Sequence, residues 1–168
     1  MKHVTAVLLA ALVLLAVCSS AAGQDFMTVG TEISPETITD FYWTYDAPID
    51  PPVYLRYHFR AADGAYTFTR EVREGDHWPL TEADITASDT RTLTEEEWAA
   101  FLGLLLGGTV TKPEDNLLDG DAGPWTYIDW AGDQDGYRAF SFPTGDDSLT
   151  FEAFCETLAS GGTEQTAE

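Results

Sequence analysis

Apolar and polar positions alternate through the first half of the chain. Over residues 53–60, Val53, Leu55, Tyr57 and Phe59 fall on one side of an extended segment, and Tyr54, Arg56, His58 and Arg60 on the other. Asp63-Gly64 is a two-residue turn signal, so residues 65–74 return as the partner strand. Pairing Ala62 with Ala65 sets Phe59 opposite Phe68 and Leu55 opposite Val72 on one face. The same register sets Arg56 opposite Glu71 and His58 opposite Thr69 on the other, so both faces agree. Residues 37–45 are rich in β-branched and aromatic side chains, with Phe41, Trp43 and Tyr45 on one side of the pleat, and Pro48, Pro51 and Pro52 end that strand. Residues 81–91 add a shorter strand.

At Thr94 the period changes. Thr94-Glu95-Glu96-Glu97 is a capping box, and Trp98, Phe101, Leu102 and Leu105 follow at helical spacing until Gly107-Gly108 stops the helix. Residues 125–130 and 137–142 form a second strand pair joined through residues 132–136. Aromatics occupy both sides of this pair and leave its register open: either Trp125, Tyr127 and Tyr137 form a platform for glycan or protein contact opposite Ile128 and Trp130, or helices cover one face and loops the other. Residues 143–147 read as a loop. A closing helix over 149–159 presents Phe151, Phe154, Cys155 and Leu158 on one stripe, which makes Cys155 a core thiol. Strands grouped in hairpins with two helices predict an α+β domain: an antiparallel sheet with both helices packed on one face. The polar side of the 53–60 and 65–74 strands argues against burial on both faces.

The N-terminus changes the picture of where this domain works. Lys2 precedes an apolar run of about 14 residues, from 4 to 17, and Cys18-Ser19-Ser20-Ala21-Ala22 follows. That is the layout of an export signal, and the run is shorter than the roughly 20 residues a membrane span needs. Two processing routes fit. Leu15-Ala16-Val17-Cys18 resembles a bacterial lipobox, with cleavage before a lipid-modified Cys18, although Val17 stands where the family has Gly or Ala. The alternative is cleavage after Ser20-Ala21-Ala22, which discards Cys18. The domain plan is then a signal over 1–22, or 1–17 in a lipoprotein, a tether over 23–36, one domain over 37–160 and a polar tail over 161–168. Cys18 and Cys155 are the only cysteines, so by either route Cys155 has no intramolecular partner and the core alone holds the fold.

The chain has 168 residues and a formal charge of −21; without the signal, 29 acids face 7 bases, a balance of −22. Such a field repels nucleic acid and anionic membrane, leaving a lipid anchor as the expected membrane contact. The aromatic strand Phe41-Tyr42-Trp43-Thr44-Tyr45, the Asp63-Gly64 hairpin, the 93–106 helix, the 125–142 hairpin and the 151–158 helix together resemble, in layout, small exported proteins and lipoproteins of Gram-positive gut bacteria. The resemblance brings no catalytic residues with it.

Candidate chemistry is sparse. Asp119, Asp121, Asp133 and Asp135 place hard oxygens in loops, as calcium would need. Aligning Asp133 and Asp135 to the twelve-residue calcium loop puts Ala131 first and Phe142 last, where acids belong, so they read as turn residues and no metal or other cofactor is expected. No nucleophile elbow, phosphate loop or dinucleotide fingerprint is present. The most informative surface is the polar side of the first hairpin. Tyr54, Arg56, His58, Arg60 and Arg73 gather there, which places three of the seven bases on one face of an acidic chain. That face reads either as a solvated surface with an Arg56–Glu71 pair or as a shallow site for an anionic or sugar ligand, with arginine donors and tyrosine stacking. The expectation is an exported, lipid-anchored, noncatalytic binding protein. The alternatives are a hydrolase of wall or glycan polymers working through carboxylates the sequence does not single out, and an accessory part of an envelope assembly with protein partners.

Overall fold

A computed structural model describes residues 26–112 and 123–161. The leader with Cys18, the pair Asp119 and Asp121, and the tail from 162 onward lie outside the described residues. The strands are β1 (Phe26–Thr28), β2 (Ile38–Ala47), β3 (Val53–Ala62), β4 (Ala65–Arg73), β5 (Ile85–Thr92), β6 (Thr109–Thr111), β7 (Trp125–Trp130) and β8 (Arg138–Ser141). They form one antiparallel sheet in the order β1-β6-β8-β7-β2-β3-β4-β5. Two helices, α1 (Glu95–Leu104) and α2 (Gly145–Gly161), complete an α+β fold. Among the described residues no helix is long and apolar enough to cross a membrane.

The first hairpin has the expected register. Ala62 pairs with Ala65, Phe59 with Phe68, Arg56 with Glu71 and Leu55 with Val72. The turn makes this possible: Asp63 and Gly64 both take positive φ, 54° and 77°, the twist that matches two right-twisted strands. The helix start also holds. Thr94 Oγ accepts from the Glu97 N–H at 3.1 Å, and Glu97 accepts from the Thr94 N–H at 2.9 Å. At its end Gly107 takes φ 77°, and a Cβ at Gly108 would lie 2.3 Å from the Phe140 ring, so only glycine fits there.

Both helices pack on one face. Phe41, Phe59 and Phe68 lie side by side across β2, β3 and β4, with Ile128 and Phe140 continuing the apolar surface. Phe59 stacks flat on Phe101 of α1 at 4.0 Å, and Phe41 meets Phe101 at 5.5 Å and Phe151 of α2 at 5.4 Å. Cys155 is fully buried in this core, and burial pushes its thiol well up.

Three expectations need correction. Residues 26–36 are not a tether: β1 pairs with β6, Val29 and Ile33 are buried in the core, and Pro35–Thr37 is a turn of 3-10 helix. The 143–147 segment is not all loop, because α2 starts at Gly145; the Thr144 hydroxyl accepts from the Asp147 N–H at 3.2 Å and caps it. The fold also contains β6, which the sequence reading passed over.

Candidate functional site

The face opposite the helices carries neighbouring cross-strand rows of polar and aromatic side chains. Pairing sets Thr44 between Trp125 and Arg56, and Arg56 beside Glu71. The next row runs Tyr127, Tyr42, His58, Thr69 and Thr90. A third sets Asp40 between Asp129 and Arg60. At one end, Tyr54 lies between Asp46 and Arg73. β2 and β3 expose this face for the same reason they build the core: every second residue points away from the helices.

The five residues singled out from the sequence do share this face, in different states. Tyr54 is 4% exposed and Arg73 9% exposed, beneath the loop between β4 and β5. Arg73 donates through Nε to Glu71 at 2.8 Å and through Nη1 to the Leu80 carbonyl at 3.4 Å, and its guanidinium lies 4.0 Å from the Tyr54 ring centre. These two residues are internal supports and do not face a ligand. His58 shares a 2.6 Å hydrogen bond between Nε2 and Asp40. Arg60, with a side chain 62% exposed, approaches the same carboxylate at 3.9 Å.

Arg56 is different. The expected Arg56–Glu71 pair does not form, because Arg73 takes Glu71 through both Nε and Nη2. Among the described residues, each of the other five arginines has a carboxylate oxygen within 4.0 Å. Arg56 has none. Its Nε donates to Thr44 Oγ1 at 3.1 Å, and its guanidinium sits 5.1 Å from the Tyr42 ring centre and 5.4 Å from that of Tyr54.

Aromatic rings extend from that point. Tyr42 meets Tyr127 at 5.1 Å and Tyr137 at 5.2 Å, and Tyr137 is 40% exposed. Trp125 and Tyr127 also line a groove of about 480 Å³ that reaches past Lys112 and Phe142 to Gly145 and Ser148 at the start of α2. Burial raises the Tyr42 and Tyr54 phenols, and burial together with nearby Asp40 holds Tyr137 well above the ordinary phenol value. The Tyr137 hydroxyl is bonded to Asp40, and the buried Tyr54 hydroxyl has no hydrogen-bond partner among the described residues. Burial also raises the Asp46 carboxyl, against the opposing pull of Arg73 and Arg56.

Elsewhere the charges are matched. A groove of about 440 Å³ on the helical side is lined by Arg70, Asp89, Arg91 and Glu156. Arg70 there lies 3.5 Å from Glu156, and Arg91 binds Glu97 and the Leu158 carbonyl. Asp133 and Asp135, the calcium candidates within the described residues, instead grip Arg138 at 2.9 Å and 2.6 Å. Among the described residues no group of three or more His, Cys, Asp or Glu side chains is arranged to hold a metal ion.

Tyr42, Thr44, Asp40 and Asp46 were missed as site residues. Their signal was the period-two alternation against Phe41 and Trp43, and reading it required knowing that β2 lies between β3 and β7. No known protein family, curated protein or solved structure matches the chain.

Proposed function

We propose that this is an exported, lipid-anchored protein of the bacterial surface that acts by binding, with the open face of the sheet as its binding surface. One observation carries the reading: both helices cover one side of the sheet, while the other presents Tyr42, Tyr127, Tyr137 and an arginine with no carboxylate partner among the described residues. Aromatic rings beside a fixed guanidinium suit an anionic or sugar ligand. An envelope protein is the other class of partner in keeping with this compartment. The leader residues from Lys2 to Cys18 support export, and the Leu15-Ala16-Val17-Cys18 run supports attachment through Cys18.

Two measurements test it. Amide shifts recorded with a panel of wall fragments and acidic and neutral oligosaccharides should concentrate on β2, β3 and β7. Shifts confined to α1 and α2 would overturn the open-face reading. In the producing host, Cys18→Ala should move the protein from the membrane fraction to the soluble one; an unaltered distribution defeats the anchor.

A further inference from the structure

Arg56 is the feature of the open face that internal structure explains least. An arginine on an acidic protein ordinarily finds a carboxylate, and the other five do so within 4.0 Å. Arg56 even has Glu71 as its direct cross-strand partner. That carboxylate is held at 2.8 Å by the buried Arg73. The side chain is nonetheless fixed. Thr44, itself buried, accepts from Nε at 3.1 Å, and the rings of Tyr42 and Tyr54 flank the guanidinium. With Nε occupied, the edge formed by the two Nη atoms, a fork that fits two oxygens of one planar anion, has no partner among the described residues.

We infer that Arg56 is the anion-binding group of this face and that its ligand is a carboxylated sugar, the carboxylate on the Nη edge and the sugar ring against Tyr42, Tyr127 and Tyr137. The inference rests on the open face being the binding surface. Charge favours a carboxylate over a phosphate ester. One guanidinium balances one negative charge, whereas a phosphate brings about −1.5 to −2 into the field of a chain whose balance is −22. The sugar part follows from the rings. Tyr127 and Tyr137 lie 5.1 Å and 5.2 Å from Tyr42, and the Tyr137 ring is exposed. Trp125, one strand from Arg56 across Thr44, also lines the adjoining groove.

The test compares trigalacturonic acid with its fully methyl-esterified form by calorimetry and amide shifts, using the protein as its exporting host processes it. The acid should bind at least about tenfold more tightly than the ester, the scale of a charge-assisted bond pair. Arg56→Gln should remove that difference. Arg56→Lys, which keeps the charge and loses the fork, should restore only part of it. Tyr137→Ala should weaken acid and ester alike. Thermal melts of each variant report whether the fold is intact. Equal binding of acid and ester by the wild type, or an unchanged preference in Arg56→Gln, overturns the inference while leaving the open face as a sugar surface if the shifted amides lie on β2 and β7. Shifts on the helical side, or phosphorylated trisaccharide bound more tightly than the acid, overturn it as well, and the first of these also removes the open-face reading. No binding of the acid at millimolar concentration overturns the ligand class and leaves the face to be judged by the wider panel.

Discussion

On the helical side of the sheet Phe59 lies flat on Phe101 at 4.0 Å, and Phe68, Phe151 and Phe154 close around it. On the open side Tyr42 meets Tyr127 and Tyr137 at slightly longer range, with Arg56 against its ring. β2 and β3 contribute to both assemblies, one residue apart. The difference is what covers the rings: the helices close over Phe59 and its neighbours, and over Tyr57 as well, whereas Tyr42, Tyr127 and Tyr137 keep part of their surface where water or a ligand can reach it. Aromatic content alone therefore does not separate a core from a surface built for contact.

The largest expected effect sharpens that contrast. Phe59→Ala should cost about 3–5 kcal/mol, because a fully buried ring leaves a cavity among four others. Tyr127→Ala, at the partly exposed counterpart, should cost about 1 kcal/mol or less. Urea denaturation measures both, and equal losses would mean the open face belongs to the core.

Next in size is a comparison within the open face itself. Arg73→Met should destabilise by about 1–3 kcal/mol, since it removes the bonds that the buried guanidinium makes to Glu71 and to the Leu80 carbonyl. Arg56→Gln should change stability by less than about 1 kcal/mol, because among the described residues no carboxylate oxygen lies within 4.0 Å of it. If the two arginines prove equally structural, the distinction between support and site disappears. Thr94→Ala follows at about 1 kcal/mol, the usual value of an N-cap, and its measure is the same urea midpoint.

How far the sequence could be read tracks the range of the interactions involved. The β3–β4 hairpin was legible because alternation on two faces and the Asp63-Gly64 turn all impose one register. The α1 start was legible because its cap is complete within four residues. β1 and β6 are three residues each, too short to display a period. The β2–β7 pairing joins segments far apart in the chain, and nothing local specifies it. For that reason Tyr42 and Tyr127 could not be placed together beforehand, and the membership of the open face was half visible. The Arg56–Glu71 pair failed for another reason. The register was right, but Glu71 has two cations within reach, and the loop carrying Leu80 buries Arg73 and hands it the carboxylate.

The smallest effect separates two carboxyls by the sign of their pH response. Asp46, on the open face, has its carboxyl raised by burial despite Arg73 and Arg56. Between its ordinary value and that raised value the folded state binds more protons than the unfolded one, so this group makes stability fall as pH rises through the window. Asp133, gripped by Arg138, is held low chiefly by that hydrogen bond. It contributes stability above its ordinary value that is lost as pH falls toward the lowered one. Asp46→Asn cannot ionise, so its stability relative to wild type should climb with pH from the ordinary carboxylate range and then level off. Asp133→Asn should show the reverse sign in a lower window: a deficit that grows as pH rises from the lowered value to the ordinary one, holds above it, and fades in acid. Urea midpoints for the two variants and wild type between pH 3 and 7 read these difference curves directly, and because every other carboxylate is common to the three proteins, its titration cancels. Curves of the same sign would mean that Asp46 is held by its arginines as firmly as Asp133 is. The open face would then be as internally neutralised at that end as the β7–β8 turn, leaving Arg56 without the uncompensated character that sets it apart.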